Sequence, residues 1–387
     1  MNSKAWLIPL LLLSVGCNRM AAKASSERSD NFRALSTGQF LRLPALWMVQ
    51  GTSAQVTLST QGEARLFYGP KGSPLTKEAP NQGQGNDFRF LLSGLTPDSD
   101  WTYQVNAENG EGEKISFRTA NVGKPFSFAV FGDSRPNDGD EPPEDFGRVV
   151  AAMAKQSPVF AVGVGDNVQL TPGGFLSITD KLVRGRYDAY LRALNPLGRS
   201  VPVFMAAGNH DRTWDPTALK GFKEAFVLPQ NGTSTYYSWD YANVHLVVLD
   251  SEKAYEKVDL GAAQLNWLAK DLASSKQPVK LVFLHRPLFG GAHSNDFEHS
   301  NQPQRSELIA LFKKNGVSAV FCGHDHYYRH LEVEGIDWTV TGGAGAPEAY
   351  SAPTGGFVGP HFLLVKVGEK GISTKVYSDS GEEKDSW

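Results

Sequence analysis

Five short polar clusters stand at the ends of apolar runs: Gly132-Asp133-Ser134-Arg135, Gly165-Asp166-Asn167, Gly208-Asn209-His210-Asp211, His285-Arg286-Pro287 and Gly323-His324-Asp325-His326. Carboxylate, amide oxygen and imidazole are donors for hard and borderline metal ions, and carboxylate and imidazole are also the groups that move protons. The Gly-His-x-His segment sets two imidazoles on one side of an extended chain. Each cluster alone is weak evidence, because a Gly-Asp after a strand equally reads as a turn whose aspartate satisfies local N–H groups. Five in this order matter only if one fold gathers them. Other hydrolytic chemistry has no support, since the chain holds neither a Gly-x-Ser-x-Gly elbow nor a P-loop.

The elements before these clusters can gather them. After Pro125, apolar strand runs alternate with amphipathic helices: strands at 126–131, 159–164, 201–205, 245–249, 279–284 and 319–321, with helices holding Phe146, Val149, Val150 and Met153, near 181–194, around Leu265, Leu268 and Leu272, and near 305–314. This is the texture of an α/β domain, in which the carboxyl ends of strands face one crevice. Residues 290–304 form a long polar loop directly after His285, containing His293 and His299 as candidate substrate contacts; the alternative for both is a solvated loop histidine. Residues 37–121 instead show short alternating segments broken by Gly, Pro and Asn, the pattern of an antiparallel β-sandwich.

The whole chain has 387 residues, 41% hydrophobic and 20% charged, enough for two or three domains with sizeable cores. Its 38 basic residues stand against 41 acidic ones with no basic block, so nucleic acid is not expected as a partner. Residues 1–16 carry Lys4 and a run to Leu13 too short to span a bilayer, which reads as an export signal. The segment ending Ser14-Val15-Gly16-Cys17 resembles a bacterial lipoprotein box, with Ser14 a departure from the usual leucine, and ordinary secretion is the alternative. That resemblance implies lipidation of Cys17, a membrane anchor, a flexible tether over 17–36 and, in a Gram-negative host, a periplasmic position at the outer membrane. Cys322 is then the remaining cysteine and sits in the apolar run Ala319-Val-Phe-Cys322, where it reads as a small buried hydrophobe.

Taken together, Gly-Asp, Gly-Asp, Gly-Asn-His-Asp, His and Gly-His-x-His resemble the motifs of the calcineurin-like metallophosphoesterases, over roughly residues 122–387. The stretch from Gly94 to Val105, closing with Phe117-Arg-Thr119, resembles the end of a fibronectin type III-like domain, and that domain before the catalytic one is the layout of purple acid phosphatases. The resemblance implies an αββα four-layer sandwich after an all-β domain. It also implies a metal-dependent phosphoesterase that hydrolyses phosphate monoesters through a hydroxide bridging two metal ions (iron, zinc or manganese). By motif, Asp166 bridges the ions, Asp133 and His326 complete one, and Asn209, His285 and His324 complete the other. His210 would stabilise the transition state or protonate the leaving oxygen, with Asp211 orienting it and Asn209 also near the substrate. A phosphodiesterase using the same site is the alternative, as is a catalytically silent binding module, which would show as loss of an essential ligand.

Two departures carry information. Purple acid phosphatases place a tyrosine three residues beyond the second aspartate, where this chain has Gln169, and many relatives place a histidine where this chain has Arg135. The resemblance then implies a protein without the purple colour, a weaker first metal site, and Arg135 free to bind a substrate phosphate oxygen. The alternative for Arg135 is a salt bridge to an acid of the 138–145 loop. Tyr327 and Tyr328 read as packing beside the site.

Overall fold

The computed structural model describes residues 40–387 apart from 109, 121–124, 171–177, 213–218, 234, 255–256, 348–350 and 370. The expected export signal over 1–16, Cys17 and the tether over 17–36 lie outside the described residues. The chain opens with seven strands: β1 (Arg42–Trp47), β2 (Ser53–Ser59), β3 (Ala64–Pro70), β4 (Lys77–Ala79), β5 (Asp87–Ser93), β6 (Asp100–Ala107) and β7 (Gly110–Arg118). They form two antiparallel sheets, ordered β1-β2-β5 and β4-β3-β6-β7. Period-two alternation explains the core between them: Ala54, Val56 and Leu58 from β2 meet Leu66, Trp101, Tyr103 and Phe117 from the other sheet.

From Phe126 the chain alternates strands and helices: β8 (Phe126–Phe131), α1 (Glu144–Lys155), β9 (Ala161–Gly163), α2 (Asp180–Gly198), β10 (Val203–Met205) and α3 (Lys220–Ala225). Then come β11 (Tyr237–Tyr241), β12 (Val244–Val248), β13 (Glu252–Ala254), β14 (Lys257–Val258), α4 (Gly261–Ser274), β15 (Val279–Phe283), α5 (Phe297–Ser300) and α6 (Gln302–Asn315). The chain closes with β16 (Ala319–Cys322), β17 (Tyr328–Val333), β18 (Ile336–Thr341), β19 (Gly356–Phe357), β20 (His361–Val367), β21 (Ile372–Ser378) and β22 (Glu383–Ser386). Two mixed sheets result, ordered β10-β9-β8-β20-β21-β22 and β11-β12-β15-β16-β18-β17-β19.

Strand alternation decides which layer each side chain enters. Along β15, Val279, Leu281 and Phe283 join the core between the sheets, while Val282 and the following Leu284 join the core under α4 and α6. Phe128 of β8 meets Phe283 edge-on at 6.2 Å across the sheets, and Phe131 of the same strand faces Phe146 of α1 at 6.1 Å. The order is therefore helix, sheet, sheet, helix, as expected. Each such side chain taken from water contributes about 1.5–3 kcal/mol. Cys322 is buried in the outer core as a small hydrophobe, and its surroundings push the thiol pKa up.

The β-sandwich is docked on α2. Arg42 pairs with Asp188 at 2.6 Å, Asn195 donates to the Pro44 carbonyl at 2.8 Å, and the Tyr103 hydroxyl donates to the Arg199 carbonyl at 2.7 Å. Trp47 packs edge-on to Phe226 at 6.0 Å. The 290–304 segment differs from its reading as one long loop, because α5 and the start of α6 occupy its second half. Asn301 caps α6 by accepting from the Gln304 N–H, and Pro303 stands in the first turn, where its missing N–H costs nothing.

Candidate metal centre

All five polar clusters lie at the carboxyl ends of strands that run parallel to a neighbour: β8, β9 and β10 in one sheet, β15 and β16 in the other. The chain must turn sharply there to bring side chains back over the strand ends. Asp133, Asp166 and His324 accordingly adopt left-handed backbone angles, φ +61, +54 and +72. Such angles are costly outside glycine and cluster where function holds them in place. The glycines between them let the loops close. A Cβ at Gly208 would collide with Asp166 Oδ1, and one at Gly323 with Asp133 Oδ2.

The side chains converge on a buried point. Asp133 and His285 are fully buried, and Asp166, Asn209, His324 and His326 nearly so. The Asp166, His285 and His324 ligand atoms all lie within 4.8 Å of one another. His285 Nδ1 donates to the Val164 carbonyl at 3.0 Å, which leaves Nε2 as the lone-pair nitrogen of the neutral ring. That Nε2 faces Asn209 Oδ1 at 3.0 Å, Asp166 Oδ1 at 3.3 Å and His324 Nδ1 at 3.3 Å. Asp166, Asn209 and His285 thus turn electron pairs to one small space with little water access, which a cation or a proton must satisfy. The donor set of imidazole, carboxylate and amide oxygen suits zinc, manganese or iron. Next to these, His326 Nε2 stands 3.4 Å from Asp133 Oδ1, close enough for the Asp166 charge to act on His326.

Burial opposes charge on Asp166, but His285, His210 and Arg135 outweigh it and hold the carboxyl below its ordinary range. Burial also opposes charge on His285, yet Asp166 and Asp133 move its pKa up. His326 moves up as well, because its hydrogen bond to Asp133 outweighs burial. His324 moves down through burial, reinforced by Arg286 and His285, so its ring stays neutral as a ligand must. His210 is pulled down to about 3, mainly by burial. A neutral His210 can donate an N–H to a phosphoryl oxygen but carries no spare proton. Its backbone N–H donates to Asp166 Oδ1 at 2.9 Å.

One expectation needs correction. Asp211 does not orient the His210 ring: it accepts from the Gly208 N–H at 2.8 Å, Asn167 Nδ2 at 3.0 Å and the Tyr187 hydroxyl at 3.2 Å, and so ties the β9 and β10 loops together. Burial and the Asp166 charge push its pKa up to about 7. Three acids of the 138–145 stretch, Asp140, Glu141 and Asp145, are paired with Arg186, Arg192 and Arg148. Arg135 Nε donates to Asp166 Oδ2 at 3.3 Å, so the guanidinium lies in the site. The His293 ring lies tilted against that of His324 at 4.5 Å, beside the centre, whereas the exposed His299 turns to the Gly291 carbonyl. Tyr327 and Tyr328 are buried, with hydroxyls on Gly290 and Asp385, as packing residues.

Sequence reasoning missed the groups behind His324. Arg286 Nη1 stands 3.0 Å and Asn295 Oδ1 3.3 Å from its Nε2, and Arg286 is held by the fully buried Glu252 at 2.7 Å. Asp296 lies 3.7 Å from the same nitrogen. The one available signal was the concentration of Arg, Asn and Asp close after His285.

Residues 126–328 match the Calcineurin-like phosphoesterase family. The chain belongs to that family. Among curated relatives, Purple acid phosphatase 21 of Arabidopsis thaliana is 27% identical over 285 residues, which cover 68% of this chain and 60% of the relative. Acid phosphatase type 7 of Mus musculus is 25% identical over 262 residues, covering 63% of this chain and 56% of the relative. The chain thus spans about 60% of the length of the curated relatives it matches. In fold it is similar to purple acid phosphatase PPD1 from yellow lupin seeds, with TM-score 0.72 and 18% identity, covering 89% of this chain and 73% of that one. It is also similar to PhoD, with TM-score 0.68 and 12% identity, covering 90% and 93%.

Proposed function

We propose that the protein is a phosphatase with two metal ions that hydrolyses phosphate monoesters outside the cytoplasm. The observation that carries this is the convergence of Asp166, Asn209, His285 and His324 side-chain ligand atoms on one buried point, with Asp133 and His326 adjoining. The first four would hold one ion, and Asp133 and His326, together with Asp166, would hold the other. When bound, the ions supply Lewis acidity for in-line hydrolysis of a phosphoryl group. The chain's own residues do the rest. Val164 fixes the His285 tautomer, the Gly208 turn holds Asn209 and Asp166 together, and the neutral His210 donates its N–H to a phosphoryl oxygen. Arg135, already at the edge of the site, turns to a phosphate oxygen. His293, beside His324, faces the ester's leaving group.

The presence of every expected ligand favours an enzyme over a silent binding module. In this reading residues 1–16 direct export, Cys17 is lipidated and anchors the chain, and 17–36 tether it. The sandwich of 37–121 is a fibronectin type III-like domain, supported by its strand order and its docking on α2, and 122–387 is the catalytic domain. The experiment compares hydrolysis of a chromogenic phosphate monoester with that of the matching diester by protein loaded with zinc, manganese or iron. Monoester preference is expected. Diester preference would keep the site and overturn the substrate class.

A further inference from the structure

A second group of metal-type ligands lies behind the centre. Asp296 and Asp325 are both fully buried, and with His293 they offer ligand atoms that lie within 4.8 Å of one another. The loop after β15 wraps around them. The His293 N–H donates to Asp296 Oδ2 at 3.1 Å and the Ala292 N–H to Asp325 Oδ2 at 3.1 Å. A Cβ at Gly291 would collide with Asp296 Oδ2, so glycine is what lets the loop close this tightly. The backbone thereby satisfies one oxygen of each carboxylate and turns the other inward. Asp325 Oδ1 meets His293 Nδ1 at 2.6 Å, while Asp296 Oδ1, buried, has no hydrogen-bond partner.

We propose that His293, Asp296 and Asp325 bind a third cation, a divalent ion of the zinc or manganese class. Two buried carboxylates side by side repel, and an unpaired buried carboxylate oxygen is among the costlier groups a fold can carry. An ion with bonds of about 2.0–2.2 Å removes both costs. Such an ion sets neighbouring ligand atoms farther apart than the His293–Asp325 contact, and His293, 27% exposed, is the wall that can move outward to admit it. With Asp296 Oδ1 only 3.7 Å from His324 Nε2, the third ion sits one imidazole away from the main centre and fixes the acidic backing of that ligand. Burial and the neighbouring Asp325 push Asp296 up to about 9, so a proton is the competitor for the same place.

The test counts metal. The full-length protein is stripped with chelator, equilibrated with Zn²⁺ or with Mn²⁺, and analysed by elemental mass spectrometry beside Asp296→Asn and His293→Gln. Circular dichroism and unfolding midpoints check that the variants fold. The site predicts that each variant binds one equivalent fewer than wild type. Because that count is a difference, it stands apart from whether the main centre is catalytic. Equal stoichiometry in all three would overturn the proposal and make Asp296 and Asp325 a proton-sharing pair. Loss of more than one equivalent would also overturn it, by showing that the pair only supports the His324 centre. Should Asp296→Asn fail to fold, the half-exposed His293→Gln decides between the same outcomes.

Discussion

Arg286→Met should destabilise the fold strongly, although Arg286 is not itself an expected metal ligand. Arg286 and Glu252 side chains are fully buried, and the guanidinium meets the carboxylate twice, Nε to Oε1 at 2.7 Å and Nη2 to Oε2 at 3.2 Å. Methionine fills much of the same space but leaves the Glu252 charge without its partner. Breaking a buried pair in this way costs about 3–5 kcal/mol. At about 1.4 kcal/mol per tenfold, the folding equilibrium drops by roughly two to nearly four orders of magnitude. The double variant Glu252→Met/Arg286→Met removes both charges and should recover most of that loss, because the desolvation of two ions disappears with their attraction. Urea unfolding of wild type, both single variants and the double variant closes the cycle. A single-variant cost below about 1 kcal/mol, or a double variant no more stable than Arg286→Met, would refute the reasoning.

Three further outcomes follow from the geometry. His245 lies between Asp240 at 2.7 Å and Asp271 at 2.9 Å, and these bonds outweigh burial and raise its pKa. Its stabilisation, about 1–2 kcal/mol given the exposed Asp240, is therefore complete below its unfolded pKa of about 6.5 and is lost as pH rises through the higher folded value. The unfolding free energy of wild type minus His245→Gln should shrink from pH 6 to pH 9, and a pH-independent difference would contradict the ion pairs. Arg135→Ala should raise KM for a monoester and Ki for inorganic phosphate about tenfold or more, with metal content unchanged; loss of metal with unchanged KM would make Arg135 a prop for Asp166 alone. Iron-loaded protein should show no visible charge-transfer band, because Gln169 stands where a phenolate would be needed; absorption spectroscopy decides this.

Much of the site could be read from sequence because each motif is local. Asp133, Asp166, Asn209, His285 and His324 each follow an apolar run within a few residues, and parallel strands bring such ends together whatever lies between. Groups held by contacts distant in sequence stayed hidden. Glu252 reaches Arg286 across 34 residues, and Asp296 meets Asp325 only because one loop folds back over another. The role of Asp211 was misread because adjacency to His210 says nothing of where a side chain points after a tight turn. In the sandwich the alternating pattern read over 37–121 became β2, β3, β5, β6 and β7, while β1 and the three-residue β4 were missed. The Arg-Leu-Pro-Ala-Leu-Trp sequence of β1 is buried at nearly every position and so does not alternate. The strand read over 159–164 is shorter, Ala161–Gly163, because Gly165 at φ +105 already begins the turn into the site.

In the proposed reaction hydrolysis runs through the cluster at the strand ends, where Asp166 faces His285 with one oxygen and Arg135 with the other. The most direct test is return of monoester hydrolysis when zinc, manganese or iron is added back to chelator-stripped protein, in wild type and in Asp166→Asn. Metal should restore wild-type activity and leave the variant at least two orders of magnitude below it, about the 3 kcal/mol that losing the partner of a buried charge costs. Full activity in the stripped protein, or equal recovery in Asp166→Asn, would contradict it.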